Sequence, residues 1–216
     1  MIDGHFIVLE GIDGAGTTSV CSAMSKRFAD HGLPAYTTCQ PSTGPIGAMI
    51  RQILSGRVVV STSTGARSPG WATMAALFAA DRLDHLESTV IPVLRDGVTV
   101  FCDRYDYSSA AYQSLTSSGS NDAVRWIQDL NRQARRPDLT IVLDVDPRVA
   151  SKRRSMRPGA PEIYEDDELQ TALSSFYDDL ENYYPNDNIV HVDSNRNLPV
   201  VVEDVARAVD HLRGVK

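Results

Sequence analysis

Several things are scarce in this chain, and each absence narrows the field. No apolar run is long enough to cross a bilayer, and the first residues carry no hydrophobic segment of the secretory kind. A soluble, cytoplasmic protein without a membrane partner is therefore expected. Cysteine is rare: Cys21, Cys39 and Cys102 are odd in number and make no C-x-x-C pair. Free thiols in a reducing compartment suit that pattern better than a disulfide framework or a zinc site. A basic excess is also missing, since 21 Lys and Arg face 28 Asp and Glu for a net charge of −7. That balance argues against a surface built to coat nucleic acid. It leaves room for a small anionic ligand, which needs only a local cationic pocket. Internal repeats, low-complexity tails and interdomain linkers are absent as well.

What is present is the composition of one globular domain spanning 1–216, with 42% hydrophobic and 23% charged residues. Strand and helix signals alternate along it. The apolar run Phe6-Ile7-Val8-Leu9 stops at a glycine-rich turn, and a helix follows to about Gly32. Residues 35–39 read as a second strand, and Pro45 opens a helix through Leu54 that stops at Gly56. The Ser-, Thr- and Gly-rich stretch 56–70 reads as a loop or mobile insertion, with one short β-like run at Val58-Val59-Val60. A long helix is predicted over 71–95, a buried strand over 98–102, and a helix over 107–134 broken near 117–120. A fourth strand at 139–145 leads to a helix opened by Pro147. The basic stretch 153–161 is predicted as a loop, 168–184 as a helix, 189–192 as a fifth strand and 198–212 as the closing helix. Such alternation implies an α/β fold, a three-layer doubly wound sandwich around a five-stranded parallel sheet, with ligands at the carboxyl ends of the strands.

The first strand runs directly into Gly11-Ile12-Asp13-Gly14-Ala15-Gly16-Thr17-Thr18, followed by a helix. Glycines let backbone N–H groups converge on phosphate oxygens, and the helix N-terminus adds positive potential. The strand–loop–helix context marks a P-loop, with Gly11, Asp13, Gly14, Ala15, Gly16, Thr17 and Thr18 as phosphate-binding residues. Thr18 holds the place whose hydroxyl ligates Mg²⁺ in G-x-x-x-x-G-K-[ST]. Thr17 stands where that motif has lysine. The loss of one such preorganised donor typically costs about 2.7–4 kcal/mol, or about 10²–10³ in rate, unless another cation replaces it.

Further along come Leu77-Phe78-x-Ala80-x-Arg82, Asp103-Arg104-Tyr105-x-x-Ser108-x-x-Ala111-Tyr112-Gln113, Arg136-Pro137-Asp138-Leu139-Thr140 and Leu143-Asp144-Val145. Together with Leu9-Glu10-Gly11-x-Asp13-Gly14-Ala15-Gly16 and an acidic stretch around Tyr164, Glu165 and Asp167, these resemble the thymidylate kinase family of P-loop nucleoside monophosphate kinases. The resemblance runs from about Phe6 to Tyr183, and the Asp-Arg-Tyr block is its most specific part. It implies phosphorylation of dTMP to dTDP with ATP as donor and Mg²⁺ as cofactor, in a homodimer. Carried over by position, Arg82 and Arg104 would grip the acceptor phosphate, as planar guanidinium forks do. Phe78 would stack on the pyrimidine, and Tyr112 would crowd the 2′ position of the sugar. Ser108, Ser109 and Gln113 would meet the base edge. Asp13 would lie near the sugar 3′-hydroxyl and the metal, with Asp103 as a Walker-B-type metal partner beside Thr18. A monophosphate has its second pKa near ~6 and is largely a dianion at neutral pH, so no general base is required.

The resemblance places a lid near 152–163, where Lys152, Arg153, Arg154 and Arg157 supply four cations in six residues. Family members with no arginine in the phosphate loop, like this chain with Gly14, deliver the catalytic arginine from the lid. Arg157 or Arg154 is the candidate, with Arg153 stacking on adenine and Tyr164 and Glu165 near the acceptor. Three departures stand out: Thr17, the turn Cys39-Gln40-Pro41 in place of the family's Arg-Glu-Pro or Phe-Pro, and the Ser/Thr-rich 61–68. They leave two other readings beside the leading one. One is a kinase for another deoxynucleoside monophosphate, modified pyrimidines included; the other is a nucleotide-binding homologue impaired in phosphoryl transfer.

Overall fold

The computed structural model describes residues 4–117, 122–156, 163–164 and 166–215. Its centre is a five-stranded sheet whose neighbouring strands all run parallel. The strands are β1 (Phe6–Glu10), β2 (Ala35–Cys39), β5 (Thr99–Asp103), β6 (Leu139–Asp144) and β7 (Ile189–Asp193), in the order β2-β5-β1-β6-β7. β1, β5 and β6 are buried almost throughout because helices cover both faces. That is why they read as continuous apolar runs rather than alternating ones. The edge strands β2 and β7 are only partly buried.

Amphipathic spacing seats the helices. In α1 (Thr17–Asp30), Val20, Cys21, Met24 and Phe28 are buried on one face. In α10 (Leu198–Leu212), Val201, Val205, Ala206 and Val209 do the same. The remaining helices are α2 (Pro45–Leu54), α3 (Trp71–His85), α4 (Ile91–Arg95), α5 (Asp106–Leu115), α6 (Ala123–Leu130), α7 (Pro147–Ser155), α8 (Asp167–Asp178) and α9 (Leu180–Tyr183). A small second cluster of Ile50, Ile53, Leu54 and Met74 joins α2 to α3, with Phe78 and Tyr164 packed on it.

Four elements differ from the sequence expectation. The stretch 56–70 contains an antiparallel hairpin, β3 (Val60–Thr62) with β4 (Gly65–Arg67), its turn held by the Thr62 hydroxyl donating to the Gly65 carbonyl at 2.7 Å. The helix over 71–95 passes through a π-helical turn at Leu86–Val90 before α4. Pro92 has no N–H to return to the Ser88 carbonyl, so the regular ladder is interrupted there. α7 extends through Ser155, which puts Arg153 and Arg154 in a helical last turn rather than in a loop. Cations at a helix C-terminus are favoured by the helix dipole. The helix over 168–184 is split at Asp179 into α8 and α9. α5 ends at Leu115 and α6 begins at Ala123; of the break expected near 117–120, residues 118–120 lie outside the described residues.

Candidate functional site

β1 and β5 are neighbours, with Leu9 in register with Asp103, so the loops leaving their carboxyl ends meet. From β1 comes the P-loop. Gly14 has φ 99°, and a Cβ there would lie 2.5 Å from the Ala150 carbonyl oxygen of α7. Glycine thus lets the helix carrying Arg153 and Arg154 sit directly on the phosphate loop. Gly16 precedes the first turn of α1, whose leading N–H groups have no acceptor within the helix and face the loop. Thr17 is buried. The exposed Thr18 donates its hydroxyl proton to Asp103 Oδ2 at 2.5 Å. The other oxygen, Asp103 Oδ1, is buried and has no hydrogen-bond partner. One hydroxyl and one carboxylate with a spare lone pair fit Mg²⁺, which takes few protein oxygens and fills its octahedron with water and phosphate.

From β5 comes Arg104, at φ 70° the one non-glycine residue with positive φ among the described residues. Such a conformation costs on the order of 1–3 kcal/mol and persists only where surroundings enforce it. Its N–H donates to the Leu9 carbonyl at 2.9 Å, and its guanidinium donates to Gly11 O at 2.9 Å, Ser108 Oγ at 3.1 Å and Asp13 Oδ1 at 2.5 Å. Arg104 therefore spans the gap between the P-loop and α5.

Two residues without a predicted role hold this arrangement. Gln170 of α8 is fully buried; its Oε1 accepts from the Asp13 N–H at 2.9 Å and its Nε2 donates to Asp13 Oδ2 at 3.0 Å. Glu10, also fully buried, accepts from the Tyr105 N–H, the Ser108 hydroxyl and the Tyr177 hydroxyl. Burial raises its pKa, against the pull of Arg104 and these donors. Ser108 is thus engaged by Glu10 and Arg104 inside the protein. A polar residue in an otherwise amphipathic or apolar element is the signal both left in the sequence.

A cavity of about 290 Å³ opens beside the P-loop, walled by Asp13, Thr17, Phe78, Arg104, Tyr112 and Tyr164, among others. Ser109 and Gln113, one turn apart on α5, line it as well, together with Arg82, and all three are buried. Arg82 is 1% exposed and donates to Gln40 Oε1, Asn131 Oδ1 and Ser109 Oγ at 2.9, 2.5 and 3.0 Å. All three acceptors are neutral, and among the described residues no carboxylate pairs with it. Gln113 Oε1 and the Tyr112 hydroxyl are buried without partners. Arg51 of α2, which carried no sequence assignment, also lines the cavity; its Nη1 donates to the Pro41 carbonyl at 2.9 Å. Its position in an amphipathic helix did not distinguish it from a surface cation.

On the other side of the loop a second cavity, of about 250 Å³, is lined by Ala15, Gly16, Arg153, Asn197 and Leu198. Arg153 donates to the Ser194 carbonyl at 2.8 Å and reaches Gly14 O at 3.4 Å. Arg154 donates to Asp13 O at 2.7 Å and to Asp167 Oδ1 at 2.6 Å, tying α7 and α8 to the loop. The candidates Arg157 and Glu165 lie outside the described residues.

Two cavities thus border the glycine-rich loop, each lined by arginine. The thymidylate kinase family model matches residues 9–205. This chain belongs to the thymidylate kinase family. A probable thymidylate kinase of Pyrococcus horikoshii is 34% identical over 96% of this chain and 97% of its own length. One from Staphylothermus marinus is 35% identical over 97% of each. The fold is shared with the solved thymidylate kinase of Candida albicans, at a TM-score of 0.79 and 21% identity over 99% of this chain and 94% of that one. The protein is accordingly a phosphotransferase of the nucleoside monophosphate kinase type.

Proposed function

We propose that the protein transfers the γ-phosphoryl group of ATP to dTMP, giving dTDP and ADP. The observation that carries this reading is the Asp13–Arg104 pair standing on the P-loop in a cavity also lined by Arg82, and by Gln113 and Tyr112 with their unpartnered buried oxygens. ATP would occupy the second cavity, its phosphates in the P-loop and its base against Arg153. Thr18 and Asp103 would hold Mg²⁺, which when bound neutralises charge on the donor phosphates.

dTMP would lie in the first cavity with its phosphate toward Arg104 and Arg51. Arg82 donates to Ser109, one of the base-edge candidates, and on that contact we assign it to the base rather than to the phosphate. Arg82 offers donors to a ring carbonyl, and Gln113 Oε1 offers an acceptor to the ring N3–H. Thymine presents both partners; cytosine presents an amine and an unprotonated N3, the reverse pattern. Phe78 would stack on the ring, Tyr112 would wall the sugar against a 2′-hydroxyl, and Tyr164 would close the same side. The acceptor dianion is nucleophilic without a base, so the chain's task is alignment and charge neutralisation.

Thr17 leaves a cation missing, and Arg104, Arg153 and Arg154 are the positive groups already in contact with loop residues. Arg154 would supply the replacement charge by exchanging its Asp13 carbonyl contact for phosphate. A cytoplasmic homodimer completes the proposal: Met49 on α2 and Leu83 on α3 are large apolar side chains 42% and 37% exposed, and α2 and α3 pack together.

The test is a coupled ADP-release assay over dTMP, dUMP, dCMP and dGMP. Preference for dTMP and dUMP over dCMP by at least about tenfold is expected, since each mismatched buried group typically costs about 1–3 kcal/mol. No turnover with any acceptor overturns the kinase reading, and a preference for dCMP overturns the base assignment. Arg154→Ala is expected to lower kcat by about 10²-fold, the scale for a lost preorganised donor; full activity in that variant removes Arg154 from the chemistry.

A further inference from the structure

Arg82 dictates the state of a buried histidine that it does not touch. A guanidinium only donates, so Gln40, which receives the Arg82 Nε–H at 2.9 Å, must present its carbonyl oxygen there. The amide nitrogen of Gln40 then points the other way, to His85 Nδ1 at 3.3 Å. An amide NH₂ also only donates, so Nδ1 must be unprotonated. The ring proton consequently sits on Nε2, which lies 2.7 Å from the Thr38 hydroxyl oxygen. Gln40, Arg82 and His85 are 5%, 1% and 4% exposed, and Gln40 and Arg82 line the acceptor cavity, from which a bound nucleotide would displace water.

We propose that His85 is a positioning residue for the acceptor nucleotide: as the neutral Nε2–H tautomer it locks Gln40, and through Gln40 the Arg82 guanidinium, so that protonation of His85 loosens acceptor binding. The inference rests on the reading of Arg82 as a contact to the acceptor base. A protonated ring would aim Nδ1–H at the Gln40 NH₂. Flipping the amide relieves that clash but turns its NH₂ toward Arg82 Nε–H. Either arrangement strands a buried donor.

The surroundings keep His85 neutral near physiological pH. Burial lowers its pKa, and Arg82 acts in the same direction. Asp81 and Asp84, also on α3, oppose this. Asp81 is itself occupied by the Ser42 N–H at 2.7 Å and the Ser42 hydroxyl at 2.6 Å. From β2 and the turn after it, the groups in contact with the ring are the neutral Thr38 and Gln40. The proposed loss of binding therefore lies on the acid side of the usual histidine value and disappears as pH rises.

The experiment is saturation kinetics with dTMP from about pH 5.5 to about pH 8, the range over which histidines titrate. Wild type is compared with His85→Asn, His85→Gln and Arg82→Lys. In His85→Asn the side-chain oxygen stands near the Nδ1 position as an acceptor that does not titrate. It is expected to keep the neutral-pH KM and to lose the acid-side rise in KM. The phosphate of dTMP titrates equally in both enzymes, so their KM ratio isolates His85. His85→Gln carries no acceptor at that position and is expected to raise KM about tenfold at every pH with kcat unchanged, the scale of one stranded buried donor. An acid-side rise in His85→Asn equal to that of wild type overturns the relay. An unchanged KM in Arg82→Lys instead overturns the Arg82 reading on which it rests. The tautomer is checked without any variant: two-bond 1H–15N spectra of the wild-type protein should show a protonated Nε2 and a bare Nδ1, and an Nδ1–H ring overturns the inference outright.

Discussion

Gly14 and Thr17, three positions apart in the P-loop, set the terms of the chemistry in opposite ways. Gly14 withholds a side chain so that α7 can approach to within van der Waals contact of the loop. In Gly14→Ala the new Cβ meets the Ala150 carbonyl oxygen at 2.5 Å on a backbone with φ 99°. A loss of roughly 2 kcal/mol or more in unfolding free energy is expected from overpacking and strain together, measured by urea titration. Thr17 withholds a charge. If Arg154 or a neighbour already supplies it, Thr17→Lys should change kcat little; a gain approaching the ~10²-fold scale of a restored donor would show the cation to be missing outright. Glu10 and Gln170 act at one remove, by holding Arg104, Ser108 and Asp13. Removing the Gln170 amide leaves the Asp13 N–H unpaired, so Gln170→Leu should lower kcat/KM through misplacement of Asp13 while leaving Thr18 and Asp103 in place.

Among the elements, β6, β7 and α9 are joined by His191. Its Nδ1 lies 2.8 Å from Asp144 Oδ1 and its Nε2 3.2 Å from Glu181 Oε1. The hydrogen bond to Asp144 is the largest influence raising its pKa above the usual 6.5; burial opposes it, and the charges of Asp144 and Glu181 reinforce it. A proton held more tightly by the folded than by the unfolded chain stabilises the fold fully below pH 6.5, and that contribution is lost as pH climbs through the raised value. His191→Gln should therefore flatten the decline in stability on the alkaline side of pH 6.5, read as the pH dependence of Tm. His85 contributes with the opposite sign, because burial lowers its pKa and acid must charge it in the unfolded chain first. The two effects occupy separate windows, below and above the ordinary histidine value, so one pH series separates them.

At the level of the assembled protein, the proposed dimer is the most direct target. Leu83→Glu places a charge at an exposed position and should not disturb the monomer core. Light scattering is expected to give a dimer for the wild type and a monomer for Leu83→Glu, and a wild-type monomer removes the assembly proposal.

Alternating strand and helix signals were enough to predict the parallel sheet, because β1, β5 and β6 are buried on both faces and their apolar runs announce it. The glycine-rich loop between β1 and α1 was legible for a related reason: its conformation depends on residue type within a few positions, whereas the positive φ of Arg104 was not foreseen. The hairpin at 60–67, the π-helical turn before Pro92 and the helical setting of Arg153 and Arg154 were not legible. Each depends on a local competition that weak propensities do not settle.

Residue order alone carried the fold class, the phosphate loop and the thymidylate kinase resemblance, since these reside in short contiguous segments. The tertiary structure was needed to bring Gln170 to Asp13 across 157 positions and Tyr177 to Glu10 across 167. It also moved the proposed place of Arg82 from phosphate to base and joined it through Gln40 to His85. The reason is physical: a side chain's hydrogen-bond partners, and hence its orientation and protonation, are set by whatever the fold packs against it, and neighbours in space are not neighbours in sequence.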